Sequence, residues 1–245
     1  MALECSSQTG EHFYDGFCGS GTSLVAAQNV ERIGHAIEKD PKRAIIDLLR
    51  HGTIAGDPGL YGHTDIPVSE SGWQQMQQSV NVDLQYQQVV SSPLQRCLRF
   101  AKDYSRRHTL QLHTEPLLQE MNFGEWDGRT FDQLQDRWAE LEAFWQTPAL
   151  ITPPGGESLA VFKERVNQGW LQLLQQCRGS QTLVVTHAGV IRMILGQLLC
   201  VDWQSAAYYQ QLRIDYGSIT RIQILYNEDK IYPQIRFIGR PSPAI

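Results

Sequence analysis

Beyond the polar, proline-containing junction Asp40-Pro41-Lys42-Arg43, strand-like apolar runs alternate with helix-like stretches, and this alternation constrains the fold more than any other feature. Ala44 to Leu49 reads as a strand and 51–68 as a long loop rich in Gly, Pro and Asp. Ser69 to Val80 reads as a helix with Ser69 or Ser71 as its N-cap. Gln88 to Ser91 is a short strand, and Pro93 begins a helix running to about Arg107, since proline is tolerated in a first turn. Over 130–146, Phe131, Leu134, Trp138, Leu141 and Trp145 recur at helical spacing and predict core or lid packing. The breaker Thr152-Pro153-Pro154-Gly155-Gly156 precedes a helix over 158–177, whose Leu159, Phe162, Val166, Trp170, Leu173 and Leu174 share one face. The apolar strand Thr182 to Thr186 runs directly into a helix over 188–199, and 217–225 and 231–238 read as edge strands. Such alternation predicts an α/β fold: a mostly parallel central sheet with helices on both faces, a three-layer αβα sandwich.

Bulk properties narrow the function. The 245 residues can bury a substantial core as one large domain, or as one domain with an appendage. The formal net charge is −5 and no long Lys/Arg block occurs, which argues against nucleic-acid and membrane partners but permits a small cationic pocket. Cys5, Cys18, Cys97, Cys177 and Cys200 are scattered without metal-ligand spacing, so reduced thiols and a cytoplasmic location are expected, with no metal site. No signal pattern and no membrane-length apolar run is evident. The sequence sets no oligomeric state and leaves a homo-oligomer open.

Four loops near strand ends carry the charged groups: Arg50-His51-Gly52, Ser91-Ser92-Pro93-Leu94-Gln95-Arg96, the stretch around Glu120, and Thr186-His187-Ala188-Gly189. Loops at the carboxyl ends of parallel strands share one crevice, so two arginines, two histidines and a glutamate can converge. That set suits phosphoryl transfer, where catalysis is largely positioning plus electrostatic stabilisation of the equatorial oxygens. Two guanidiniums match those oxygens in fork geometry, and amides opening the 188–199 helix add partial positive charge. A neutral His51 would attack phosphorus, and Glu120 would protonate the leaving alcohol and then deprotonate water. No metal or cofactor is required.

These residues sit in LLRHG (48–52), SSPLQRC (91–97), LQEMNFGEWDGR (118–129), PPGGES (153–158) and VVTHAGVIR (184–192). In that order and spacing they resemble the histidine phosphatase superfamily, from about residue 44 to 240. The resemblance implies a phosphoglycerate mutase-like fold and metal-independent hydrolysis of a small phosphorylated substrate. It implies His51 as the phosphorylated nucleophile, Arg50, Arg96 and His187 as the phosphate clamp, and Glu120 as the general acid, with His187 also in the catalytic set. Within the superfamily, LYGHTDIPVSESGW (60–73) and 118–128 look most like α-ribazole phosphatases of cobalamin biosynthesis; a broad-specificity or sugar-phosphate phosphatase is the alternative. One departure stands out. The family loop continues with Glu or Gln, Thr or Ser, and an Asn three residues later, whereas this chain has Thr53-Ile54-Ala55-Gly56-Asp57. A phosphate-binding side chain is therefore missing or replaced by Thr53.

Other polar residues read as structural. Glu125 and Asp127 compete with Glu120 for the acid's role, and Glu125 reads as a structural carboxylate; His63, His108 and His113 read as capping or surface residues, and Glu157 as a complement to a helix dipole. Residues 13–40 fall outside the phosphatase pattern. Phe13 to Thr22 reads as strand and glycine turn, followed by a helix over 22–29 and a strand Arg32 to Ile37 ending at Glu38. The segment resembles a fragment of the S-adenosylmethionine motif of amino-group DNA methyltransferases, without the catalytic Pro-Pro-aromatic motif. The expected organisation is a non-functional fragment or extended start over 1–42 and a phosphatase domain over 43–245, with a DNA-methylating protein as the different-class alternative.

Overall fold

Lys42–Arg50 forms strand β1, in which Ile46 and Leu48 point to one face and Asp47 and Leu49 to the other, all fully buried. Side chains buried on both faces mark a central strand of a covered sheet. The computed structural model describes residues 42–80, 84–227 and 230–241. Of these, residues 43–80, 84–224 and 232–241 belong to one compact unit. The methyltransferase-like fragment expected over 13–40 lies outside the described residues.

The remaining elements follow as β2 (Gly59–Leu60), α1 (Glu70–Val80), β3 (Gln88–Ser91), α2 (Gln95–His108) and β4 (Gln111–Thr114). Next come β5 (Arg129–Thr130), α3 (Trp138–Gln146), α4 (Leu159–Gln176), β6 (Gln181–Thr186) and α5 (Ala188–Leu198). α6 (Ala206–Gln211), β7 (Ile219–Asn227) and β8 (Lys230–Arg240) complete the described chain. Six strands form one sheet in the order β4-β3-β6-β1-β7-β8, and β2 pairs with β5 in a small antiparallel ribbon. β6 pairs in parallel with both β1 and β3, and β3 in parallel with β4. This is the mostly parallel, helix-flanked sheet that the alternation predicts.

One face of the sheet, with Leu49, Val89, Leu183 and Val185, packs on Met76 and Val80 of α1 and on Cys97, Phe100 and Ala101 of α2. Burying each Val, Leu, Met or Phe side chain among these contributes about 1.5–3 kcal/mol. Ile46, Leu48, Val90 and Val184 on the opposite face are equally buried, and α4 and α5 carry the other long apolar stripes. Ser69 caps α1, its Oγ accepting from Gly72 N–H at 3.1 Å, while Ser158 caps α4 by accepting from Val161 N–H.

Three local expectations need correction. β7 lies between β1 and β8 rather than at an edge, and its Ile219, Ile222 and Ile224 are buried. The opposite edge is β4, whose side chains are mostly exposed and lack apolar alternation. The helical spacing over 130–146 resolves into β5, a 3₁₀ turn at Asp132–Arg137 and α3; Leu134 and Leu141 are buried whereas Trp138 is 45% exposed. α2 begins at Gln95 after an extended Leu94, so Pro93 precedes the helix.

Candidate active site

The register of the parallel strands determines which loops meet. Arg50 at the end of β1 pairs with Thr186 at the end of β6, and Ser91 of β3 lies opposite Val185. The ladder continues one residue further on each side: His51 N–H donates to Thr186 O and Ser92 N–H to Val185 O, both at 3.0 Å. His51, Ser92 and His187 are thereby delivered to one edge of the sheet. The His51 and His187 rings meet edge-on, with centroids 5.3 Å apart.

His51 Nδ1 lies 2.9 Å from Gly52 O. A carbonyl oxygen only accepts, so Nδ1 carries the proton and Nε2 is bare. Burial, then the positive charges of Arg96 and Arg50, hold this imidazole well below the usual histidine range. The Arg50 guanidinium lies over the Tyr216 ring, 3.6 Å from its centroid, and Nη1 donates to Ile214 O. Its Nε is buried without a partner, and burial lowers its pKa. A desolvated cation with an unused donor favours an incoming anion.

Arg50, His51 and Glu120 line a single cavity of about 470 Å³. Glu120 reaches it from the loop after the 3₁₀ turn Pro116–Leu118. Arg165 secures that loop, with Nη1 donating to Leu117 O and Gln119 O at 2.9 Å and Nη2 to Glu120 O at 3.1 Å. Glu157 in turn pairs with Arg165 at 2.6 Å and accepts from Asn122 N–H, so it braces the Glu120 loop rather than merely complementing a helix dipole. One of the amides expected to greet a phosphate at the start of α5, that of Gly189, is engaged by Glu120. Gly189 N–H donates to Glu120 Oε2 at 3.1 Å, and Met121 N–H to Oε1 at 3.0 Å. Residue 189 must be glycine for this approach, since a Cβ there would lie 2.2 Å from Glu120 Oε1.

The other named residues stand off the cavity wall. Arg96 and His187 are fully buried. Arg96 donates from Nη1 to Thr64 O (2.9 Å), from Nη2 to Gly62 O (2.6 Å) and Tyr61 O (3.1 Å), and from Nε to His187 Nδ1 (3.3 Å). His187 Nε2 meets Ser92 Oγ at 2.8 Å. Burial, then Arg96, His51, Arg50 and Arg165, hold His187 well below its usual range. Thr53 donates from both N and Oγ1 to Gln75 Oε1 at 3.1 Å. The competing acids separate cleanly: Glu125 is paired with Arg137 in solvent, and Asp127 binds backbone amides. His63 is only partly exposed, with its Nε2 buried and unpartnered.

Two further cavity residues, Arg192 and Tyr216, stand beside the charged groups without a role in the sequence motifs. Arg192 donates from Nε to Leu212 O at 2.8 Å and lines the cavity. Its place four residues after Ala188, on the same helical face, was the signal available. Tyr216 lies in the turn before β7 and carries no motif.

An α/β sandwich whose parallel strands bring an Arg-His pair and a second histidine to one edge defines the phosphoglycerate mutase-like class. The sequence profile described as "Histidine phosphatase superfamily (branch 1)" matches residues 46–232, and the chain belongs to that superfamily. It is 34% identical over 178 residues to a bifunctional protein of Mycobacterium tuberculosis, covering 71% of this chain and 48% of the relative. The chain thus spans about half the length of the mycobacterial relatives it matches. It is 30% identical over 184 residues to an adenosylcobalamin/alpha-ribazole phosphatase of Salmonella typhimurium, covering 72% and 89%. Its fold resembles the alpha-ribazole phosphatase of Shigella flexneri, with TM-score 0.69 and 24% identity over 82% of this chain and 98% of the other. It also resembles a mycobacterial glucosyl-3-phosphoglycerate phosphatase, with TM-score 0.70 and 23% identity over 81% and 99%.

Proposed function

We propose that the chain hydrolyses phosphomonoesters through a phosphohistidine on His51, without a metal. The supporting observation is the bare Nε2 of His51 in the same cavity as the unpaired donor of Arg50 and the Glu120 carboxyl group. Nε2 attacks phosphorus, the ester P–O bond breaks, and Glu120 gives a proton to the departing oxygen. Water, losing its proton to Glu120, then attacks phosphorus; the P–N bond breaks and His51 returns neutral. Arg50 holds equatorial oxygens throughout, while Arg96 and His187 act from behind by fixing the electrostatics of His51.

The finer reading is α-ribazole 5′-phosphate as substrate, a reaction of cobalamin biosynthesis. Its support is the 30% identity to relatives bearing that name and the aromatic wall of Phe123, Phe144, Trp145, Phe162 and Tyr209, which suits a flat apolar base. A second reading, an acid-bearing or sugar phosphate, is favoured by Arg192, a further cation on the same wall. Free thiols at Cys97, Cys177 and Cys200 agree with a cytoplasmic location. No helix among the described residues is long and apolar enough to cross a membrane.

A panel containing α-ribazole 5′-phosphate, 3-phosphoglycerate and p-nitrophenyl phosphate, ranked by kcat/KM, tests both levels. Activity must survive EDTA, disappear in His51→Ala, and leave an acid-labile phosphoenzyme on rapid quenching. Loss of activity in EDTA refutes the mechanism, and a ranking that puts 3-phosphoglycerate first refutes the α-ribazole assignment.

A further inference from the structure

The acid two residues beyond Glu125 has a task that the proposed chemistry leaves unassigned. Asp127 Oδ1 accepts from Gly62 N–H (3.1 Å) and Thr64 N–H (2.9 Å), and Oδ2 accepts from His63 N–H (2.7 Å) and Phe123 N–H (3.2 Å). One carboxylate therefore gathers the amides of a whole turn and ties them to the loop that carries Glu120. Space enforces the arrangement. A Cβ on residue 62 would fall 1.9 Å from Met121 O and 2.5 Å from Asp127 Oδ2, so only glycine lets the turn close on the acid.

The direction of the peptides gives this its consequence. Successive N–H groups drawn toward Asp127 leave the carbonyls of the same turn facing away, and those carbonyls meet Arg96. Tyr61 O, Gly62 O and Thr64 O take both terminal nitrogens of the guanidinium. With these engaged, Arg96 Nε is held against His187 Nδ1, and the His187 ring stands against His51. Arg96 is fully buried and pairs with no carboxylate among the described residues, so the oriented carbonyl dipoles are what stabilise its charge there.

We propose that Asp127 is a positioning residue: by organising the 61–64 turn it fixes Arg96 behind His187 and His51, and so sets the protonation behaviour of the histidine pair. The proposal rests on the reading of His51 as nucleophile for its kinetic consequence, though not for the geometry. Asparagine cannot substitute, because its NH₂ would confront amide donors where Oδ1 or Oδ2 now accepts. Burial works against the ionised carboxylate, but its bonds from Thr64, His63 and Phe123 prevail and hold its pKa below the ordinary value. Asp127 is thus an anion at neutral pH.

The groups facing the two rings define what a pH measurement reports. His51 meets Arg50, Arg96, His187 and the Tyr216 ring, and shares its cavity with Glu120. His187 meets Arg96, His51, Ser92 and the Cys97 thiol, with Arg50 and Arg165 acting at longer range; burial pushes that thiol far up, so it stays neutral. Among these, Arg96 is the cation whose place depends on Asp127. Loosening it weakens a charge that opposes protonation of both rings.

The test compares wild type with Asp127→Asn and, approaching the turn from its other side, Gly62→Ala. Both variants are expected to lose up to ~100-fold in kcat/KM at neutral pH, the scale of a small misplacement in a preorganised site. The acid limb of the pH profile should move to higher pH. The ring resonances of His51 and His187 should titrate at higher pH by NMR, a measurement that needs no substrate. In an Arg96→Gln background, Asp127→Asn should shift neither the limb nor the resonances further. If both variants lower only Tm while limb and titrations stay at their wild-type values, Asp127 is merely structural and the proposal falls. A wild type that titrates as described but hydrolyses no ester on the panel removes the phosphatase reading and leaves the positioning role tested by NMR.

Discussion

Arg96 Nε donates to His187 Nδ1 at 3.3 Å, and that bond fixes the tautomer of the second histidine. Guanidinium only donates, so Nδ1 accepts and Nε2 carries the proton toward Ser92 Oγ at 2.8 Å. His51 has the reverse arrangement, with its proton on Nδ1 and its lone pair on Nε2. Two neighbouring imidazoles are thus locked into opposite tautomers, one by a carbonyl and one by an arginine. Each role follows from the partner: the ring with a free Nε2 lines the cavity, and the ring without one lies behind it.

Both rings are buried and neutral, and this couples stability to pH. Their folded pKa values lie well below the ordinary value of about 6.5, so between the two limits the unfolded chain binds more protons. Stability therefore rises with pH in that window and is lost as pH falls below about 6.5 toward the folded values. Urea denaturation followed across this range should show the midpoint dropping on acidification. His51→Gln should remove up to one proton from the linkage, about 1.4 kcal/mol per pH unit of slope. An unchanged slope would mean that His51 is not held neutral by the fold.

Glu120→Gln tests proton delivery by its dependence on the leaving group. An alkyl phosphate needs a proton on the departing oxygen, so kcat should fall by roughly 10²–10⁴-fold. p-Nitrophenolate leaves without one, so its phosphorylation step should change little. Equal losses on both esters would assign Glu120 to binding instead, consistent with its carboxylate serving only the amides of Gly189 and Met121.

Much of this site was legible because parallel strands place their carboxyl ends together. Alternation alone brought Arg50-His51, Ser91-Ser92 and Thr186-His187 to one edge, and the strand register agrees. What could not be read was side-chain direction. Arg96 turns to carbonyls of residues 61, 62 and 64, thirty or more positions away, and no local pattern announces that partnership. The start of α5 looked like an anion site until Glu120, from a distant loop, occupied its Gly189 amide. α6 left no trace for a simpler reason: none of its residues is buried, so no apolar period marks it.

Arg192 offers a cavity cation that the motif did not assign. A hydrogen bond to a charged group contributes about 1.5–3 kcal/mol, roughly 10–100-fold in kcat/KM. Arg192→Met should cost that much on esters whose alcohol half bears a carboxylate, with the loss mainly in KM. An equal loss on p-nitrophenyl phosphate would place Arg192 on the transferred phosphoryl group, and no loss on either would remove it from substrate contact.

Asp47 tests the core rather than the chemistry. It is fully buried in β1, yet its oxygens accept from Arg221 Nε and Nη2 of β7, both at 2.8 Å, and from the Tyr86 hydroxyl at 2.6 Å. Burial and then the Asp47 charge push the Tyr86 hydroxyl pKa far up, so it remains a donor at every accessible pH. Asp47→Ala strands a cation and a hydroxyl with no acceptor. Breaking such a pair costs about 3 kcal/mol, the lower end of the usual range, because the Arg221 side chain is 20% exposed and water can reach it. Removing all three polar groups together, as Asp47→Leu, Tyr86→Phe and Arg221→Met, leaves nothing unsatisfied and should restore most of that loss. Denaturation midpoints of the single and triple variants decide the matter. If the triple variant is no more stable than Asp47→Ala, the cost arises from packing in β1 rather than from stranded polar groups.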